Sequence, residues 1–247
     1  MGRKHRLANR VAGMFGLHVA RRGSSWRLIE PDQLQRFLKH FAVDCVFDVG
    51  ANEGQYAAML REIGYAGLIV SFEPNPTVAA IARARASRDP RWIVNEVALD
   101  SSVRRTEFNV MAASQFSSLR TAADRSGGSF VDETRITRKV SIETVRLDDI
   151  FASLQQSHGF DRPFLKLDTQ GHDVEVVKGA VASIDRFVGL QSELALSQIY
   201  ADAPDYHSAL LYYRELGFRL SGLIPNNAGH FPDLHEVDCL MYNPAFL

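Results

Sequence analysis

Residues 46–60, "VFDVGANEGQYAAML", set an acid, two glycines and an asparagine between an apolar run of strand length and a segment of helical periodicity. Such a junction reads as the turn at the carboxyl end of a strand, the place where doubly wound sheets bind their ligands. A dinucleotide fingerprint would need G-x-G-x-x-G, with glycines that let the backbone approach a pyrophosphate. Here Asn52 stands at the second glycine position and Gln55 at the third, while Glu53 brings negative charge toward any phosphate.

A cationic ligand suits this turn better. Asp48, at the strand end, is placed to hold an ammonium, and Gly50 lets an adenosyl group or amino-acid tail lie against the backbone. Glu73 ends the next apolar run 23 residues beyond Gly50, close to the ~20-residue offset at which an acid binds ribose hydroxyls. Two acids without a phosphate cradle point to S-adenosylmethionine.

Outward from the turn, apolar runs alternate with helical periodicity. "CVFDVG" (45–50), "LIVSFEP" (68–74) and "WIVNEVALD" (92–100) read as strands, with helices in "QYAAMLREIGYAG" (55–67) and "TVAAIARARASRD" (77–89). That alternation implies βαβ units and a mostly parallel sheet. "RTEFNV" (105–110) and "RKVSIETVRL" (138–147) read as strands around the polar stretch "TAADRSGGSFVDET" (121–134), whose paired glycines suggest a mobile loop or lid. Asp148 and Asp149 read as helix-capping acids. "FLKLD" is the next buried strand, "VEVVKGAVASI" a helix and "VGLQSEL" a strand. A helix near 206–216 leads to two final strands, "FRLSGLI" and "EVDCLMYN". The expected fold is α/β: a doubly wound, mostly parallel sheet closed by a C-terminal antiparallel strand pair.

With 247 residues, 46% hydrophobic and 23% charged, the chain can bury a sizeable core. No apolar run reaches the roughly 18 residues of a membrane span. Cys45 and Cys239 each lie in a strand-like run without metal-like spacing, so a reduced, cytoplasmic protein is the expectation. The net charge of −1 hides an asymmetry: Arg3, Lys4, Arg6, Arg10, Arg21, Arg22 and Arg27 precede the first acid, Glu30. Leu7, Val11, Met14 and His18 fall at helical spacing within that arm. Residues 1–40 are therefore expected to form a basic helical extension, packed on the domain or a second subunit or resting on an anionic membrane, with 41–247 as the domain proper.

The segments "FDVGANEGQYA" (47–57), "VSFEPNP" (70–76), "NEVALD" (95–100) and "FLKLDTQGHDVEVVKGA" (164–180) resemble, in order, the motifs of FkbM-family methyltransferases. These are Rossmann-like class I S-adenosylmethionine enzymes that mostly methylate hydroxyl groups. The resemblance spans roughly residues 46–242, with the sugar-modifying members nearest. It implies that Asp48, Gly50, Asn52 and Gly54 shape the cofactor turn, that Glu73 takes the ribose, and that Val97 and Ala98 border the adenine. The sequence departs from the D-x-E-G-x-E motif at Gln170, where the family has an acid, and at Asp173, where it has a glutamate.

Methyl transfer to an alcohol is an in-line displacement, so the hydroxyl must be aligned and deprotonated. Asp168 ends its strand at the same sheet edge as Asp48, and His172 follows four residues later as the expected general base, since an unperturbed imidazole titrates near pH 6.5. Glu193 ends the neighbouring strand, which sets its carboxylate beside that of Asp168. Two such carboxylates repel unless one is protonated or a cation lies between them. One expectation is therefore a Mg²⁺ site made by Asp168, Glu193 and Asp238. The other is that Glu193 hydrogen-bonds the acceptor or the cofactor tail. Asn226, Asn227, His230, Phe231 and His235, in and beside the turn-rich "PNNAGHFPDLH", supply the amides, imidazoles and aromatic face of a carbohydrate or glycolipid site. Two rival readings are an NAD-dependent oxidoreductase, disfavoured by the missing glycines, and a non-catalytic binding module. Nucleic acid is disfavoured as a partner because the domain body has no basic stripe.

Overall fold

The computed structural model describes residues 28–123, 130, 132–225 and 233–247. Its centre is a seven-stranded sheet in the order β3-β2-β1-β7-β8-β10-β9. The strands are β1 (Cys45–Val49), β2 (Leu68–Phe72), β3 (Trp92–Asn95), β7 (Pro163–Leu167), β8 (Gly189–Ala195), β9 (Arg219–Pro225) and β10 (Glu236–Tyr242). Neighbours from β3 to β8 pair in parallel, and β10 runs antiparallel to both β8 and β9. The doubly wound sheet closed by an antiparallel pair is thus the observed fold.

Alternate residues of the fully buried central strands serve opposite faces. Val46, Ile69 and Phe164 join α1 (Ile29–His40), α2 (Gln55–Glu62) and the end of α3 (Pro76–Ala86), while Phe47, Val70 and Leu165 join α4 (Leu147–His158), α5 (Asp173–Lys178) and α6 (Tyr206–Glu215). Helix starts follow local chemistry. The Asn75 side chain accepts from the Thr77 N–H ahead of α3, with Pro76 in the first turn, and Asp205 accepts from the Ser208 N–H at α6.

Several expectations change. In α1, Leu34, Phe37 and Leu38 are buried against the sheet, so residues 29–40 belong to the domain core rather than to an extension. Residues 1–27, with the basic arm, lie outside the described residues. The single strand expected over 92–100 is divided: β3 stays in the main sheet, while β4 (Ala98–Leu99) leaves it to pair with β6 (Ile136–Val145). With β5 (Arg105–Met111) these form a second sheet, β4-β6-β5. The helix expected over 174–184 ends at Lys178, and Asp148 and Asp149 fall in the first turn of α4 instead of capping it. No helix among the described residues is long and apolar enough to cross a membrane.

Candidate active site

The chain leaves β1 toward β2 on one side and returns through β7 on the other, which opens a crevice at the carboxyl ends of β1 and β7. A cavity of about 400 Å³ fills this crevice. Gly50, Asn52, Glu73, Val97 and Ala98 line the end nearest β2. Lys166, Asp168, Gln170, Glu193 and Asp238 line the end nearest β8 and β10. Phe108, Phe116 and Leu119 roof it from the β5–β6 excursion, which is pinned down where the Ser118 hydroxyl donates to the Gln170 carbonyl at 2.8 Å.

At the β2 end the backbone is shaped to a single purpose. Gly50 has φ +77°, and a Cβ there would lie 1.9 Å from the Asp168 carbonyl oxygen, so β1 and β7 can splay only around a glycine. Asn52, also at positive φ, donates its N–H to Glu73 Oε2 at 2.9 Å, and the Asn75 N–H donates to Oε1 at 2.8 Å. Burial pushes the Glu73 carboxyl up to about 7 against the pull of those two donors. Each oxygen retains acceptor capacity toward the cavity. Gly54, expected at the cofactor, does not line the cavity; it starts α2 at φ +82°, where a Cβ would strike the Trp92 ring at 2.5 Å.

Asp48 is also placed differently from the expectation of an ammonium contact. It is fully buried beneath the cavity, accepting from the Ser71 hydroxyl at 3.1 Å and ion-paired with Lys166 at 3.3 Å. Lys166 stands directly opposite Asp48 across the β1–β7 ladder. Its ammonium also reaches Asp168 at 3.2 Å and lies 4.9 Å from the Tyr56 ring centroid. Burial alone would favour the neutral amine of this lysine, but the charges of Asp168 and Asp48 outweigh it and hold its pKa well above the ordinary range.

At the β8 end, Asp168 and Glu193 are brought together as expected, but by an amide. Gln170 Nε2 donates to Asp168 Oδ1 at 2.8 Å and to Glu193 Oε2 at 2.9 Å, and its Oε1 accepts from the Tyr200 hydroxyl at 2.6 Å. Asp173 stands behind them and clasps the two strands. Its Oδ1 accepts from the Thr169 N–H and hydroxyl, and its Oδ2 from the Ser192 hydroxyl and the Glu193 N–H. Asp238 faces Glu193 across the β8–β10 ladder. The expected Mg²⁺ site does not form from these residues: no group of three or more His, Cys, Asp or Glu among the described residues is arranged to hold a metal. Gln170 occupies the space between the carboxylates. Burial, then the charges of Glu236, Asp168, Asp238 and Asp173, push the Glu193 carboxyl well above its ordinary range.

His172, the expected base, lines the cavity. It is 5% exposed, its Nε2 pairs with Asp100 Oδ1 at 3.0 Å, and its Nδ1 is enclosed without a hydrogen-bond partner. Burial works against ionisation of Asp100, but His172, the Ser101 N–H and Arg104 hold its carboxyl at about 2. The His172–Asp100 pair thus ties the start of α5 to the end of β4. His235 is away from the cavity lining, its Nδ1 3.2 Å from the Ser197 hydroxyl and its ring against Phe130. Asn226, Asn227, His230 and Phe231 lie outside the described residues.

Sequence reasoning missed Lys166, the Gln170 fork and the Tyr200 anchor. A signal for the first was present: a lysine inside the apolar run "FLKLD", two residues before an acid, shares its strand face with that acid. The hydrogen bond from Tyr200 to Gln170 joins residues 30 apart, a pairing that local periodicity does not show.

Among solved structures, a fibrillarin/Nop5p complex is similar over 81% of this chain and 72% of that one, at 12% identity and a TM-score of 0.47. The glycopeptide N-methyltransferase MtfA is similar over 86% and 95%, at 13% identity and a TM-score of 0.45. An rRNA methylase from Streptococcus thermophilus is similar over 85% and 94%, at 11% identity and a TM-score of 0.42. Likenesses this distant say nothing about the acceptor. Among curated proteins, none matches the sequence. The family model described as "Methyltransferase FkbM domain" matches residues 48–220, from the buried acid of β1 through β8 and into β9, and the chain therefore belongs to the FkbM family of methyltransferases.

Proposed function

We propose that the protein transfers a methyl group from S-adenosylmethionine to a hydroxyl of a sugar, oligosaccharide or glycolipid. The supporting observation is one cavity with two unlike ends: a glycine turn and a backbone-anchored Glu73 at one, and the Asp168–Glu193 pair at the other. In this reading the ribose hydroxyls donate to Glu73, and the adenine lies along Val97 and Ala98. Asp168 and Glu193 would then lie at the end of the cavity where the methyl group is transferred.

The acceptor oxygen attacks the methyl carbon in line, the C–S bond breaks with its electron pair passing to sulfur, and S-adenosylhomocysteine forms. Glu193 takes the hydroxyl proton. It is the better-placed base because its carboxylate lines the cavity, whereas the His172 nitrogens are engaged or enclosed. Lys166 keeps Asp168 fixed at the floor. The excess of acids at this end, Glu30, Glu236 and Asp238 among them, favours an acceptor that also carries an ammonium, such as an amino sugar.

Thermal melting is the first test: saturating S-adenosylhomocysteine should raise the melting temperature by several degrees, as about 2.7 kcal/mol accrues at 100 times the dissociation constant, and NADH should not. Radiolabelled methyl transfer to neutral and amino sugars is the second. Label entering amines while hydroxyl acceptors stay blank overturns the O-transfer reading.

A further inference from the structure

We propose that Gln170 is a positioning residue whose side-chain amide fills the place between Asp168 and Glu193 that a bridging cation would otherwise take, so that the cavity presents a metal-free carboxylate pair to its acceptor. The inference rests on the methyltransferase reading of this cavity but not on the identity of the acceptor.

The hydrogen bonds leave little freedom. Tyr200 donates to Gln170 Oε1, which fixes the amide oxygen on that side and turns both N–H bonds toward the carboxylates at 2.8 and 2.9 Å. Reversing the amide would set its oxygen against both carboxylates. Gln170 is 8% exposed and holds φ +56°, a conformation that a β-carbon disfavours and that persists only where the surroundings impose it. Its carbonyl is held as well, by the Ser118 hydroxyl. A residue filling space would not need both amide hydrogens on cavity carboxylates.

The charges around Glu193 explain the need. Asp168 faces it from the end of β7, Asp173 from α5, and Glu236 and Asp238 from β10. Lys166 pairs with Asp168 at 3.2 Å and with Asp48 at 3.3 Å. The amide bridges Asp168 and Glu193 without adding a group that titrates.

Melting of the full chain without cofactor at pH 8, with or without millimolar Mg²⁺ or Mn²⁺, tests this. Gln170→Leu removes both N–H bonds to the carboxylates and should lose about 5 °C. Gln170→Glu should melt lower still and recover several degrees with either ion, because a third carboxylate completes a ligand set. The wild type should not shift with either ion. Should Gln170→Leu fail to fold, Tyr200→Phe, which frees the amide, should show a smaller loss and no response to either ion. A Gln170→Leu variant as stable as the wild type, an unrescued Gln170→Glu variant or a metal-stabilised wild type each overturns the proposal. None of these readings involves the methyl donor, so a protein that binds no S-adenosylhomocysteine fails separately.

Discussion

Glu73 shows how much one carboxylate decides. Its ordinary value of 4.5 is raised to about 7 in the folded protein. Between those values the folded state binds the extra proton, so its stabilising contribution is full below 4.5 and is lost as pH rises through 7, by about 3 kcal/mol at most. Glu73→Gln should therefore melt higher than the wild type at pH 8 without ligand, the two converging near pH 5. Cofactor affinity should run the other way. Ribose donors favour the carboxylate, so calorimetry should find S-adenosylhomocysteine binding tighter from pH 6 to 8 in the wild type and flat in Glu73→Gln. Lys166 makes the complementary case. Lys166→Met strands the buried Asp48 and should cost about 3–5 kcal/mol in urea melts, most of it restored by adding Asp48→Asn.

At the scale of elements, the strand ends at β1 and β7 set the site. Gly50→Ala must move the Asp168 carbonyl as well as adopt a positive φ, and should cost more than about 3 kcal/mol while abolishing S-adenosylhomocysteine binding. Gly64, at φ +89° with open space around its missing Cβ, is the control; Gly64→Ala should cost about 1–2 kcal/mol by denaturant titration and leave binding unchanged. The division of residues 92–100 has a physical reason that periodicity could not show. β3 is a sheet edge, and the chain must leave it to wall the cavity with Val97 and Ala98, so the second half of the apolar run pairs with β6 instead. The short α5 ends where Gly179 meets the Asp100 carbonyl, which a Cβ would approach to 2.1 Å.

For the whole molecule, the two thiols report on integrity. Cys45 on β1 and Cys239 on β10 are free and fully buried, with two strands between them, a separation of about 14 Å that no disulfide spans. Burial pushes both thiols well above their ordinary range. Iodoacetamide should label neither in the native state, and labelling should follow global unfolding, with rates that rise in step with urea. The sequence by itself determined the order of strands and helices, the antiparallel close, the family motifs and the positions of Glu73, Asp168 and Glu193 at one sheet edge. Those follow from local periodicity and from the rule that parallel strands end together. Only the tertiary structure decided that Asp48 turns inward to Lys166, that His172 pairs with Asp100, and that the Gln170 amide joins the carboxylates. Each depends on which side chain meets which across the sheet, and a buried charge or amide takes its role from the partner that burial makes obligatory.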